Sequence, residues 1–304
     1  MILKFYPEGA NDALLAEFCD YSDVKSAIDS KEIFEGRVLL CDRQHNLHVD
    51  IGFAEGIIPR GEGAVGILEG TVRDIALISK VGKRVCFRVV GFQRESDGKK
   101  SIILSRRMAQ LQCIDEYINL LACGEIIDAR VTRLEGFGAF IDIGCGINSL
   151  IPIDMLSVSR ISHPRERLHE GEMIKCALKS RDDGKLTFTL KELLGTWEEN
   201  AARFFVGETV TGIVRSVESY GVFVELTPNL AGLAELGAQI EAGQRVSVFI
   251  KSIIPERMKI KLVVVDVCPK QAEPPLEYRI SSGTIRHWRY SPSGADRVVE
   301  TVFG

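Results

Sequence analysis

The feature that constrains the fold most is an internal repeat in the second half of the chain. Residues 124–131 (GEIIDARV) and 207–214 (GETVTGIV) start alike and lie 83 positions apart. The same offset, without a gap, pairs glutamate, glycine, phenylalanine and leucine residues further on. The seven identities are Gly124 with Gly207, Glu125 with Glu208, Val131 with Val214, Glu135 with Glu218, Gly138 with Gly221, Phe140 with Phe223 and Leu150 with Leu233. Because self-similarity at a fixed period marks repeated structural units, the same small domain is predicted at both places.

A weaker third copy lies upstream of these two. Residues 49–52 (VDIG) match residues 141–144 (IDIG) at an offset of 92. The three copies also close on similar runs, which are 100–105 (KSIILS), 184–190 (GKLTFTL) and 258–264 (MKIKLVV). A chain of 304 residues has room for three such domains with connectors.

Each copy has the pattern of a small all-β domain. In the middle copy Ile127, Ala129 and Val131 alternate with polar residues, which is the period of a strand. About five strands per copy suggest a closed barrel, since closure leaves no exposed strand edge. The connectors at 106–121 and 190–204 place apolar residues at helical spacing. The prediction is a mainly β chain of three tandem five-stranded barrels joined by short α-helices.

Two copies carry an aromatic pair beside a glycine, namely Phe137 with Phe140 and Tyr220 with Phe223. Residues three apart in a regular strand point to opposite faces, but a glycine between them permits a bend that brings both rings to one face. Two exposed rings would form a stacking platform for unpaired bases. The alternative is that the rings belong to the barrel core.

Cations near the rings are candidates to hold phosphates. They are Arg130, Arg133 and Lys185 in the middle copy, and Arg215, Lys259 and Lys261 in the last. In the first copy the offset of 92 maps His45 and His48 onto Phe137 and Phe140. These imidazoles are either a weakened stacking surface or a polar turn in a supporting barrel. A metal site at His45 and His48 would need further ligands that no nearby Cys or carboxylate cluster supplies, so no metal is predicted.

Together these motifs resemble the S1-type RNA-binding domain of the small-subunit ribosomal protein family. The resemblance covers about 120–185 and 207–265 well and 33–108 only weakly. It implies oligonucleotide-binding (OB) barrels that bind single-stranded RNA through the paired aromatics, a third-strand histidine and basic residues of the last strands. Pro152 and Glu235 stand at the place of that histidine in this chain.

The resemblance and the patterns together divide the chain into seven segments. These are an N-terminal extension (1–30), a degenerate S1-like OB barrel (31–108), a helical linker (109–122), an S1 OB barrel (123–192), a second helical linker (193–206), an S1-like OB barrel (207–267) and a C-terminal extension with a hairpin-like pattern (268–304).

Charge and cysteine content bound the function further. The chain has 38 basic and 42 acidic residues, so it does not coat nucleic acid by bulk charge. The acidity is partly local, since residues 1–30 carry 2 basic and 6 acidic residues whereas 31–108 carry 14 and 10. Eight scattered cysteines without a Cys-x-x-Cys motif, no signal peptide and no apolar run of membrane-spanning length predict reduced thiols in the cytoplasm.

The function predicted from these features is non-enzymatic. We expect binding of single-stranded RNA (mRNA) in translation or post-transcriptional regulation, with the ribosome as a further partner, no cofactor and no membrane. The glycine pattern at 61–66 lacks the strand–helix setting of a dinucleotide site, and no hydrolase or phosphate-loop motif is present. The alternative is a scaffold of degenerate OB barrels that binds protein partners.

Overall fold

The computed structural model describes residues 5–94, 100–182, 184–235, 240–269 and 275–304. Residues 1–4 of the predicted N-terminal extension and 270–274 of the C-terminal one therefore lie outside the described residues. The chain divides into two compact units. The first consists of residues 1–121, 128–130 and 142–148, and the second of 122–127, 131–141 and 149–304.

The fold is mainly β, with three closed five-stranded barrels, which confirms the predicted fold class. The first barrel consists of β1 (Phe34–Cys41), β2 (Leu47–Asp50), β3 (Glu55–Ile58), β4 (Arg84–Arg94) and β5 (Lys100–Ser105). The middle barrel consists of β6 (Ile126–Glu135), β7 (Gly138–Asp142), β8 (Asn148–Pro152), β9 (Met173–Asp182) and β10 (Lys185–Thr189). The last barrel consists of β11 (Thr209–Glu218), β12 (Gly221–Thr227), β13 (Leu230–Ala234), β14 (Arg245–Ile254) and β15 (Lys259–Val267).

All three barrels have the same strand connectivity. The first three strands form an antiparallel meander, and the third strand pairs in parallel with the fifth, which closes the barrel against the fourth. Register shifts interrupt the long strands, for example between Val214 and Ser216 in β11. Such bulges bend a strand and supply the curvature that a small closed barrel needs.

Four α-helices lie outside the barrels in the described part of the chain, and each is short. They are α1 (Tyr21–Ser30), α2 (Ile75–Ile78), α3 (Arg106–Glu116) and α4 (Trp197–Ala201). In the second connector Thr196 caps the N-terminus of α4, and its hydroxyl accepts from the backbone N–H of Glu199 in a capping box. Within those residues no helix combines the length and hydropathy needed to cross a bilayer.

The C-terminal segment packs within the second unit. Trp288, Tyr290 and Phe303 are buried in one apolar cluster with Trp197 of the connector and with core residues of the last barrel. Within the predicted C-terminal extension, β16 (His287–Arg289) pairs antiparallel with β17 (Glu300–Val302). Earlier in the same segment, Thr284 forms an isolated antiparallel bridge with Glu125.

Candidate nucleic-acid interface

The structure brings the two rings of each aromatic pair together. In the middle barrel Phe137 lies in the turn between β6 and β7, is 58% exposed, and meets half-buried Phe140 at a centroid distance of 5.8 Å and an interplanar angle of 88°. In the last barrel Tyr220 is 66% exposed and meets Phe223 at 6.2 Å and 88°. We call Phe137 with Phe140 the middle platform, and Tyr220 with Phe223 the last platform.

The glycine inside each pair is required by the neighbouring strand. A Cβ on Gly138 would lie 2.5 Å from the carbonyl oxygen of Ile151, and one on Gly221 would lie 2.6 Å from that of Ala234. Any side chain at these positions would push the strands apart. The sequence pattern predicts a bend at these glycines, whereas in the structure they allow β7 to approach β8 closely and β12 to approach β13.

A row of outward side chains connects the last platform to a lysine. Phe223 on β12 pairs with Leu233 on β13, and Leu233 pairs in parallel with Lys261 on β15. Leu233 is partly exposed between the ring and the ammonium group. The middle barrel keeps this leucine as Leu150, which pairs with Thr187 on β10. Neither leucine was predicted as a site residue. The signal that could have identified them is that both copies of the repeat have leucine at this position.

Three of the predicted lysines are exposed. Lys259 and Lys261 alternate with buried Ile260 and Leu262 along β15, so both point outward on one face. Lys185 is exposed at the start of β10 in the middle barrel. Arg133 is also largely exposed and forms an ion pair with Glu135. These four side chains remain candidates to contact phosphate.

Arg215 does not lie on the exposed surface, contrary to its predicted place. Its side chain is only 6% exposed. Its Nε and Nη2 each lie 3.0 Å from a carboxylate oxygen of Glu225, and its Nη1 lies 2.7 Å from Glu166 Oε2. Strand alternation shows that Arg215 points out of the barrel, but not that another segment covers it. A buried, neutralised guanidinium cannot reach an RNA phosphate without breaking these ion pairs.

Arg130 is also engaged with protein. This half-buried side chain belongs to the first unit, and its Nη1 donates a hydrogen bond of 2.8 Å to the carbonyl oxygen of Glu8. We therefore leave Arg130 and Arg215 out of the interface proposed below.

The predicted histidines of the first barrel are surrounded by carboxylates. His48 on β2 contacts Glu55 through Nδ1, and its Nε2 lies 3.6 Å from Asp42 Oδ2. His45, in the preceding turn, has Nδ1 3.5 Å from Asp74 Oδ2. A hydrogen bond from the Arg60 guanidinium lowers the pKa of Asp74. Slight burial opposes ionisation of Asp42, but hydrogen bonds from Asn46 outweigh it and lower the pKa of Asp42. Both carboxyl groups are therefore anionic near neutral pH.

The positions of the missing third-strand histidines also differ between barrels. Pro152 ends β8 in the middle barrel. Glu235 follows β13 in the last barrel and lies 3.5 Å from Lys251 Nζ in an exposed ion pair. This lysine offsets the negative charge that Glu235 brings near the last platform.

Comparison with known proteins identifies a domain family for the middle barrel and similar proteins for most of the chain. Residues 121–185 match the family model of the S1 RNA binding domain. The small ribosomal subunit protein bS1 homolog of Bacillus subtilis (strain 168) is 29% identical over 260 residues, 80% of this chain and 65% of the relative. The small ribosomal subunit protein bS1 of Staphylococcus aureus (strain COL) is 28% identical over 269 residues, 83% of this chain and 66% of the relative. The chain thus spans slightly under two thirds of either relative.

Among solved structures, a multidomain protein with nucleic acid binding domains from Streptococcus pneumoniae aligns over 80% of this chain and 76% of its own. Its TM-score is 0.25 and its sequence identity 14%.

Three like barrels in tandem, with exposed ring pairs on two of them, define an array of OB-type domains. Residues 121–185 match the S1 RNA-binding domain, and most of the chain is similar to small ribosomal subunit proteins of the bS1 type, which confirms the resemblance found in the sequence.

Proposed function

We propose that this protein binds single-stranded RNA without catalysis, through the middle and last platforms and the lysines beside them. The observation that carries the proposal is the repeated pair of perpendicular, solvent-facing rings, each pair in a barrel whose closing strand exposes lysine. Stacking of a base on such a ring contributes about 1–3 kcal/mol and tolerates any base.

The lysines have a separate role in this proposal. Lys185 in the middle barrel, and Lys259 and Lys261 in the last, would hold the phosphates while the rings hold the bases. Leu150 and Leu233 extend the apolar surface between ring and closing strand. We propose RNA without strong sequence preference, because stacking and phosphate contacts do not read base edges.

The biological setting is a second part of the proposal. The similar proteins from Bacillus subtilis and Staphylococcus aureus are small ribosomal subunit proteins. We infer that this chain acts in the cytoplasm, in translation or post-transcriptional regulation, by association with mRNA or the ribosome.

The test is the affinity of the full chain for a short fluorescent oligouridylate. Phe137→Ala with Phe140→Ala should weaken binding by at least about 10-fold, since two stacked bases lose their rings. Phe205→Ala is the matched control, because this exposed ring lies in the same unit outside both platforms. An affinity that stays unchanged in the double variant contradicts the proposed interface.

A protein-interaction role is the second candidate, and it is favoured for the first barrel only. Its histidines contact Asp42, Glu55 and Asp74, which repel phosphate. We propose that this barrel binds protein rather than RNA. The ultraviolet absorbance ratio of the isolated chain that carries Phe137→Ala, Phe140→Ala, Tyr220→Ala and Phe223→Ala, with and without nuclease treatment, tests this: RNA retained by that variant contradicts a protein-only first barrel.

A further inference from the structure

The excursion between β8 and β9 connects the middle barrel to the last one. The sequence shows it as about 20 extra residues that the last copy lacks. In the structure the backbone N–H of Ser159 donates to the carbonyl oxygen of Pro228 at 3.2 Å. The backbone N–H of Val158 donates to Asn229 Oδ1 at 3.0 Å. Both acceptors lie in the turn between β12 and β13.

Four buried or half-buried charges join the same two parts. Glu166 and Arg167 come from the excursion, and Arg215 and Glu225 from the last barrel. Glu225 accepts from Arg167 and, in a bidentate arrangement, from Arg215, whose remaining nitrogen reaches Glu166. The set is neutral. Removing one member of a buried ion-paired set is costly because it leaves an uncompensated charge.

Asn229 is a second connection, through its side chain and its backbone. Its Nδ2 donates to the carbonyl oxygens of Lys191 and Gly195 in the connector, at 2.7 and 2.8 Å. Its own carbonyl oxygen accepts from the Tyr290 hydroxyl at 2.6 Å. The turn of the last barrel, the connector and the C-terminal segment therefore meet at one buried residue.

The C-terminal segment contacts both barrels. On the middle barrel the N–H of Ile126 donates to Gly283, and the N–H of Ile285 donates to Gly124, both at 2.9 Å. On the last barrel the N–H of Asp296 donates to Glu256 at 2.8 Å. The excursion, Asn229 and this segment (275–304) together form what we call the barrel junction.

We propose that the barrel junction makes the middle and last platforms a bivalent site for one continuous RNA strand, rather than two sites for independent strands. The proposal rests on the proposed function. Once the strand occupies one platform, its contact with the second is intramolecular. The effective concentration of the strand at the second platform is then set by the fixed junction rather than by a flexible linker. Pre-organisation also removes the ordering cost that a flexible pair of barrels would pay on binding.

The experiment measures the affinity of the full chain for oligouridylates that cover one barrel (about 6 nucleotides) and both (about 30 nucleotides). The long strand should bind at least about 100-fold more tightly than the short one, at one strand per chain. Glu225→Gln should reduce this length gain about 10-fold or more and leave the short-strand affinity within about 2-fold. Glu241→Gln, at an exposed position before β14 in the same barrel and outside both the junction and the platforms, is the matched control and should change neither.

Hydrogen exchange of the unmodified chain gives a test that does not depend on the folding of a variant. The amides of Val158 and Ser159 should be protected if the junction persists in solution, and exchange at the rate of an open loop overturns the proposal. Equal affinity for short and long strands, with two strands per chain, also overturns it. Loss of all RNA binding, or indifference to Phe137 and Phe140, would instead overturn the proposed function.

Discussion

The first and last barrels share a strand order but differ in charge at the equivalent place on the sheet. In each barrel, three paired residues on the second, third and fifth strands point away from the core, and we call them the outward row. The rows are His48–Ile57–Ile103 in the first barrel and Phe223–Leu233–Lys261 in the last. The aliphatic middle residue is kept, whereas the ring becomes an imidazole beside two carboxylates and the lysine becomes isoleucine.

This difference shows that fold and binding surface separate within one chain. Barrel closure depends on the buried alternate residues and on parallel pairing of the third and fifth strands, and all three barrels keep both. The outward residues carry little of the folding energy and are free to change. We therefore expect RNA affinity to follow the outward row and not the presence of a barrel.

The largest effect on this comparison should come from the last platform. Tyr220→Ala with Phe223→Ala removes both rings, and we expect at least about a 10-fold loss of affinity for an oligouridylate of about 30 nucleotides, which contacts both platforms, since each stacked base contributes about 1–3 kcal/mol. Fluorescence anisotropy at fixed salt measures it. If the affinity changes only within experimental error, the last barrel does not bind RNA and resembles the first barrel in this respect.

A smaller effect should follow from the lysines of β15. Lys259→Ala with Lys261→Ala should reduce the slope of log affinity against log salt by about 1.4, because each phosphate contact on a single strand contributes about 0.7. Arg203→Ala is the control, since this arginine lies in the connector outside both platforms and forms an ion pair with Glu277. Equal slopes for the two variants would show that the row does not contact phosphate.

The smallest effect concerns the stability of the first unit. Burial raises the pKa of Glu35 to about 7, and burial together with the charge of Glu8 raises that of Asp142 to about 6. A carboxyl group with a raised pKa binds its proton more tightly in the folded state than in the unfolded state. Its contribution to the free energy of unfolding is therefore complete below pH 4 and is lost as the pH rises toward 7. We expect the first unit to lose about 2–4 kcal/mol of unfolding free energy between pH 5 and pH 8.

Glu35→Gln should flatten this dependence, because glutamine does not titrate. Its side-chain oxygen can still accept from the backbone N–H of Gly9, which lies 3.0 Å from Glu35 Oε1. Hydrogen exchange of β1 amides, corrected for intrinsic rates at each pH, reports the first unit alone. An unchanged pH dependence in the variant would assign the effect to other carboxyl groups.

The sequence predicted the barrels well because repeat identity and strand alternation depend on local patterns. It also indicated that Phe137 and Phe140 lie together, although the reason for Gly138 is close approach of a neighbouring strand. It could not place Arg215, because alternation gives the face of a residue but not the segment that covers that face. The contact of Thr284 with Glu125 could not be predicted either, because pairing across 159 positions leaves no periodic signal in the sequence.

The central claim is that the aromatic platforms, and not the barrels as such, bind RNA. The most direct test compares Phe137→Ala/Phe140→Ala with His45→Ala/His48→Ala in one titration against the same short oligouridylate. We predict at least about a 10-fold loss for the phenylalanine pair and a change within about 2-fold for the histidine pair. Equal losses for the two pairs, or a larger loss for the histidines, would contradict the account.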